Sequence, residues 1–148
     1  CAAAGRERRV IEGGVHVFPV RVYYEDTDFS GYVYHANYLK FLERARTELI
    51  RELGMDQRAM FDAEGGTTHF VVAGMRISWK RPALMDDLIT VETRLGQLRG
   101  ASVTLEQVIL RDGDILLTAS VDIAHLAAGR PVRMAPWMHE AFEKAAGL

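Results

Sequence analysis

At 148 residues, with 49% apolar and 26% charged side chains, the chain reads as one globular domain long enough to enclose a core. A net charge of −2 and scattered basic residues offer no electrostatic footprint for nucleic acid, and no apolar run reaches the ~18–20 residues of a membrane-spanning helix. The single cysteine, Cys1, excludes an internal disulfide and a thiolate metal cluster, and it points to a reducing compartment, the cytoplasm.

The chain opens on Cys1, and the run Cys1–Gly5 followed by Arg6-Glu7-Arg8-Arg9 reads as a frayed or appended tail over residues 1–14, ahead of a single domain over 15–148. Alternation from Val15 to Tyr24 predicts a strand with Val20, Val22 and Tyr24 on one face and Pro19 at an edge. From Asn37 to Leu53 the period becomes helical. Tyr38, Leu42, Ala45, Leu49 and Leu53 form one stripe, widened by Leu39, Phe41 and Ile50. Lys40, Arg44, Glu48 and Arg51 make the opposite face, with an Arg44–Glu48 pair at i, i+4, and Gly54 is the stop signal. So wide an apolar arc must be wrapped by something.

Residues 55–68 read as a connection. Four strands are then predicted: one through Met75, Ile77 and Trp79, closed by Pro82; one over Ile89–Leu95; one through Val103, Leu105 and Ile109; and one carrying Ile115, Leu117, Ala119, Val121 and Ile123 inward. Gly96–Gly100 is a turn, Asp112-Gly113 a hairpin, and Pro136 opens a C-terminal helix through Lys144. The expected architecture is α+β: one strand, one long apolar helix, then an antiparallel meander of four strands curled around that helix. The dispersed methionines read as core filler.

Chemistry concentrates in Tyr24-Glu25-Asp26-Thr27-Asp28-Phe29-Ser30-Gly31-Tyr32-Val33-Tyr34-His35. A strand runs into two acids spaced by one residue, then a glycine, an aromatic–histidine pair and a helix start. A carboxylate held near free backbone N–H groups is the equipment of acyl transfer, a base or nucleophile beside an oxyanion hole. Other constellations are lacking. His16, His35, His69, His125 and His139 show no metal-ligand spacing, and there is no Gly-x-Ser-x-Gly elbow.

The segment Arg21–Glu48 resembles the hotdog-fold acyl-CoA thioesterases of the 4-hydroxybenzoyl-CoA thioesterase superfamily, and within them the Tol–Pal-associated acyl-CoA thioesterase branch. The likeness rests on Val22-Tyr23-Tyr24-Glu25-Asp26-Thr27-Asp28, Gly31, Val33-Tyr34-His35-Ala36, Tyr38 and Glu43-Arg44-Ala45-Arg46-Thr47-Glu48, with weaker agreement at Arg81-Pro82-Ala83 and Leu98-Arg99-Gly100-Ala101-Ser102. It implies a hotdog fold, hydrolysis of acyl-CoA or acyl-carrier-protein thioesters without metal or redox cofactor, and a homodimer or homotetramer with sites between protomers.

By that resemblance Asp28 is the catalytic aspartate, acting on water or on the thioester carbon itself, and the His35 N–H is the oxyanion donor. The His35 imidazole has three open roles: orienting Asp28, touching the acyl group, or capping the helix. Asp26 reads as a turn-holding acid, and Tyr34 and Tyr38 as packing residues, Tyr34 also bordering the substrate. Glu43 is a second-choice carboxylate near the acyl pocket, with Arg46 beside it on a salt-bridged helix flank. Arg99 is the basic turn for the substrate's phosphates, with Arg81 and Ser102 as further contacts. Two rivals follow: a hydroxyacyl-thioester dehydratase built on His35 and Glu43, and a non-catalytic acyl-carrier or Tol–Pal-linked scaffold.

Overall fold

A computed structural model describes residues 11–12, 14–55, 60 and 68–147. Residues 1–10 of the expected tail, and most of the 55–68 connection, lie outside the described residues.

The described elements are strands β1 (Ile11–Glu12) and β2 (Val15–Arg21), a 3-10 turn (Tyr24–Asp26), helix α1 (Asn37–Glu52), strands β3 (Thr68–Trp79), β4 (Leu88–Leu98), β5 (Ser102–Arg111), β6 (Asp114–Ala127) and β7 (Arg130–Pro131), and helix α2 (Pro136–Ala145). Every pairing is antiparallel, in the order β1-β2-β4-β5-β6-β3, with β7 beside β6. This is a curled sheet wrapped around one long helix. Ile11–Glu12, assigned to the tail from sequence, pairs with Val15 and His16 as β1. Among the described residues β1 reaches only as far as His16, so Pro19 has no partner on that side of β2, where a missing N–H costs nothing.

The expected four-strand meander is corrected. β4, β5 and β6 follow one another, but β3 pairs with β6 and β4 with β2. Residues 80–87 therefore cross the end of the sheet instead of closing a hairpin. They find backbone partners on the way: Lys80 and Arg81 donate to the Leu116 carbonyl at 2.8 and 3.1 Å, Val33 to Ala83 at 2.9 Å, and Val22 to Asp87 at 2.9 Å. This crossing segment is the floor on which the acidic loop rests.

α1 buries Tyr38, Phe41, Leu42, Ala45 and Leu49 against β2 and β4, and Ile89, Val91, Val103, Leu105, Ile109, Leu117 and Val121 complete the core. The helix ends in a Schellman motif. Gly54, at φ +80°, donates to Arg51 at 3.0 Å, and buried Met55 donates to Ile50 at 3.0 Å. Leu39 is exposed rather than part of the stripe, and Glu48 pairs with Arg51 at 3.7 Å rather than with Arg44. Arg46 is not a salt-bridged flank. It is buried, and its guanidinium donates to Gln107 Oε1 at 3.1 Å.

Two further readings fail for local reasons. The strand predicted to Tyr24 stops at Arg21, and the 3-10 turn leaves Tyr24 exposed. Ile115 faces outward because the β5–β6 register shifts between Ile109 and Leu110. Leu116 becomes the extra residue, and both Leu116 and Leu117 turn inward.

Candidate active site

The two loop acids do different work. Asp26 closes its turn by accepting the Tyr23 N–H at 2.8 Å. Its carbonyl accepts the Tyr34 N–H at 3.0 Å and Asn37 Nδ2 at 2.9 Å, which ties the loop to the first residue of α1. Asp26 thus holds the frame.

Asp28 sits inside that frame at the tip of a tight reversal. Thr27 bridges Val33, Asp28 donates to Tyr32 at 2.9 Å, and Gly31 donates back to the Asp28 carbonyl at 3.0 Å. Gly31 has φ +86°, a left-handed conformation that a residue with a Cβ rarely adopts, which explains the motif's glycine. Asp28 Oδ1 accepts the Ser30 N–H at 2.8 Å and the Ser30 hydroxyl as well. The Ser30 hydroxyl first, then its N–H, hold the carboxyl below the usual aspartate value; His35 adds to this and slight desolvation opposes it. Oδ2 has no hydrogen-bond partner among the described residues. One oxygen is therefore fixed and the other is free.

The helix start faces the same space. Ala36 is its N-cap without a side-chain cap, so the His35 imidazole does not cap α1. Asn37 donates to Tyr34 and Leu39 to Ala36, whereas the His35 N–H finds no acceptor among the described residues. An orphan N–H at the positive end of a 16-residue helix is an anion-stabilising donor. The imidazole lies against Tyr34, with ring centroids 4.6 Å apart, and edge-on to Trp79 at 6.3 Å.

Asp28, Ser30, His35, Trp79, Lys80 and Arg81 line one cleft of about 320 Å³, whose wall includes the buried Tyr38. Tyr38 sets the cleft against the crossing segment, its hydroxyl accepting the Ala83 N–H at 2.9 Å. Arg81 lies 3.6 Å from Asp114 and stays exposed. The pieces provide an ionised carboxylate, an unpaired N–H donor, two cations and an aromatic wall. Such a site can polarise an acyl carbonyl while presenting a base or nucleophile to its carbon.

The other expected residues lie elsewhere. Glu43 is exposed one side of α1 and accepts the Thr47 hydroxyl at 2.7 Å; eight residues separate it from His35, about 12 Å of helix rise. Tyr34 touches the His35 ring but is not among the residues lining the cleft. Arg99 and Ser102 are 3.5 Å apart in the β4–β5 turn, at the opposite end of the sheet. The ten residues of β5 put roughly 30 Å between the two ends.

Ser30, Trp79 and Lys80 were not expected. Ser30 stands two residues after an acid, the spacing of an Asx turn, and that signal was available. Trp79 and Lys80 reach the cleft only because β3 ends there.

Residues 22–142 match the thioesterase-like superfamily. The chain is 43% identical over 113 residues to acyl-CoA thioesterase YbgC of Haemophilus influenzae, covering 76% of this chain and 82% of that protein. It is 42% identical over 100 residues to acyl-CoA thioester hydrolase YbgC of Escherichia coli, covering 68% and 72%. Among solved structures, a probable thioesterase from Bartonella henselae superposes with TM-score 0.78 at 44% identity, covering 82% of this chain and 99% of that one.

Proposed function

The chain belongs to the thioesterase-like superfamily, and we propose on that premise that it hydrolyses acyl-CoA thioesters to the free acid and coenzyme A. The observation that carries this reading is the Asp28 carboxylate, with Oδ1 held by Ser30 and Oδ2 without a partner among the described residues, in a cleft that His35 also lines and beside a His35 N–H that finds no acceptor among them.

In this reading the thioester carbonyl oxygen lies at the His35 N–H, where negative charge developing on it is stabilised by the donor and by the helix dipole. Asp28 Oδ2 either takes a proton from the attacking water or attacks the carbonyl carbon to form a mixed anhydride that water then opens. Both routes use the same oxygen and expel coenzyme A as a thiolate, a good leaving group. The low carboxyl pKa suits both, since each needs the ionised form.

The wider reading takes in a second copy of the chain, for which two observations speak. β3 is an edge with no further partner among the described residues, and Phe29, Tyr32, Trp79, Leu84 and Leu88 stand exposed around the site. A head-to-tail pair would bring Arg99 and Ser102 of one copy toward Asp28 of the other. The cytoplasmic setting rests on the single cysteine, and the Tol–Pal association on the resemblance. No metal or redox cofactor enters this scheme.

The dehydratase alternative needs His35 and Glu43 together, and Glu43 is occupied by Thr47 two turns along α1. The deciding experiment incubates the protein with a saturated acyl-CoA and with a hydroxyacyl-CoA. Free thiol released from both supports the hydrolase. Enoyl product without thiol overturns it, and no reaction with either favours the scaffold.

A further inference from the structure

The end of β5 and the crossing segment meet in one ion pair. Arg111, the last residue of β5, donates from Nη1 to Asp87 Oδ2 at 2.7 Å and to the Pro82 carbonyl at 3.3 Å. With side chains 26% and 21% exposed, this is the least exposed ion pair among the described residues. Solvent and salt therefore screen it less than they screen the surface pairs. Neither Arg111 nor Asp87 is among the residues lining the Asp28 cleft.

An unbroken line of bonds nevertheless joins them to it. Asp87 Oδ2, the oxygen that Arg111 grips, also accepts the Leu84 N–H at 2.8 Å, and the Asp87 N–H donates back to the Leu84 carbonyl at 3.1 Å. Leu84 is in turn the antiparallel bridge partner of Tyr32. The Tyr32 carbonyl accepts the Asp28 N–H at 2.9 Å, and the Tyr32 N–H donates to Ser30 Oγ at 3.3 Å. That hydroxyl is the one Asp28 Oδ1 accepts. Tyr32 thus sets both the backbone of Asp28 and the group that aims its carboxylate. Since β5 lies between β4 and β6, Arg111 ties this loop to the inner part of the sheet, and a site braced on a regular element is held more sharply than one on a loop alone.

We infer that Arg111 and Asp87 are positioning residues for the hydrolysis, holding Leu84 and Tyr32 so that the Asp28 carboxylate keeps its aim. The inference rests on the acyl-CoA reading and extends it to a pair outside the cleft. Tyr38 does a separate job, because it holds Ala83, whose carbonyl accepts from Val33. Asp87 holds Leu84, and through it the residue that touches Ser30. Loss of the Arg111 brace therefore disturbs the Ser30–Asp28 bond as well as the seat of the loop.

The test follows thiol release from a saturated acyl-CoA across pH in wild type, Arg111→Met, Arg111→Lys and Asp87→Asn, well below each unfolding midpoint. Arg111→Met is expected to lower kcat about ten- to hundredfold, with KM within about twofold of wild type. Its acid limb moves to higher pH, because the Ser30 hydroxyl no longer holds the Asp28 carboxyl down. Asp87→Asn moves kcat and the limb the same way by less, and Arg111→Lys, which keeps a cation for Asp87, recovers part of the kcat lost in Arg111→Met. The direction of the limb separates bracing from a bare charge effect, since losing a cation raises the Asp28 pKa and losing an anion lowers it. Tyr32, His35, Tyr38, Lys80 and Arg81, the other titratable groups lining the cleft, are the same in every variant. Limbs that shift in opposite directions in Arg111→Met and Asp87→Asn overturn the inference and leave the hydrolase reading intact. So do wild-type kcat and limb in variants whose unfolding midpoints have dropped. Wild type that releases no thiol overturns both. Should Arg111→Met fail to fold, Asp87→Asn decides, since a limb that stays or moves to lower pH overturns the inference.

Discussion

Ser30 grips one oxygen of Asp28 with its backbone N–H at 2.8 Å and with its hydroxyl, leaving the second oxygen without a partner among the described residues. The grip orients the side chain and keeps it ionised. Ser30→Ala removes the hydroxyl and retains the N–H bond, so the Asp28 pKa rises toward its ordinary value. Because the ionised form is active, the acid limb of the kcat/KM profile moves to higher pH, and activity at neutral pH drops several-fold through lost orientation. A pH–rate profile of the two proteins checks this.

His16 sets a stability limit on the acid side. It is buried in β2 with neither ring nitrogen partnered among the described residues, and burial lowers its pKa from 6.5 to about 4. The unfolded chain therefore binds a proton that the folded chain refuses between those values. Stability is fully present above the unfolded pKa and declines as pH falls from 6.5 toward 4. Urea midpoints should drop between about pH 7 and about pH 5 in wild type, and His16→Leu should flatten that drop.

Gln107 anchors α1 to the sheet. Its Nε2 donates to the Leu42 carbonyl and to Thr93 Oγ1, each at 3.1 Å, while its Oε1 accepts from Arg46. Gln107→Leu strands the buried guanidinium and should cost about 2–4 kcal/mol. Adding Arg46→Met removes the stranded charge and should recover part of the loss. A coupling of about 1 kcal/mol or more in the double-mutant cycle is expected from denaturation curves.

Tyr38→Phe removes the acceptor for the buried Ala83 N–H and should cost about 1–2 kcal/mol. Its further effect is on the site: the crossing segment beneath Asp28 loosens, so activity falls while the Asp28 pKa limb stays in place. That combination separates it from Ser30→Ala.

The long helix was legible because burial enforces a period, and Tyr38, Leu42, Ala45 and Leu49 write it plainly. The loop was legible because two acids spaced by one residue, a turn glycine and a helix start are local signals. The position of β3 was not. Strand alternation says which face is buried but not which strand is the neighbour, and residues 80–87 carry the chain across the sheet end instead of turning back. A register shift hid Ile115 in the same way, since one extra residue reverses the pattern after it.

The free oxygen of Asp28 is best tested by Asp28→Asn. That side chain can still accept from Ser30 but supplies neither a base nor a competent nucleophile, so the loop keeps its shape. Thiol release from an acyl-CoA should fall at least about a thousandfold, with the unfolding midpoint close to that of wild type. Turnover within a few-fold of wild type in a correctly folded Asp28→Asn protein would contradict the account.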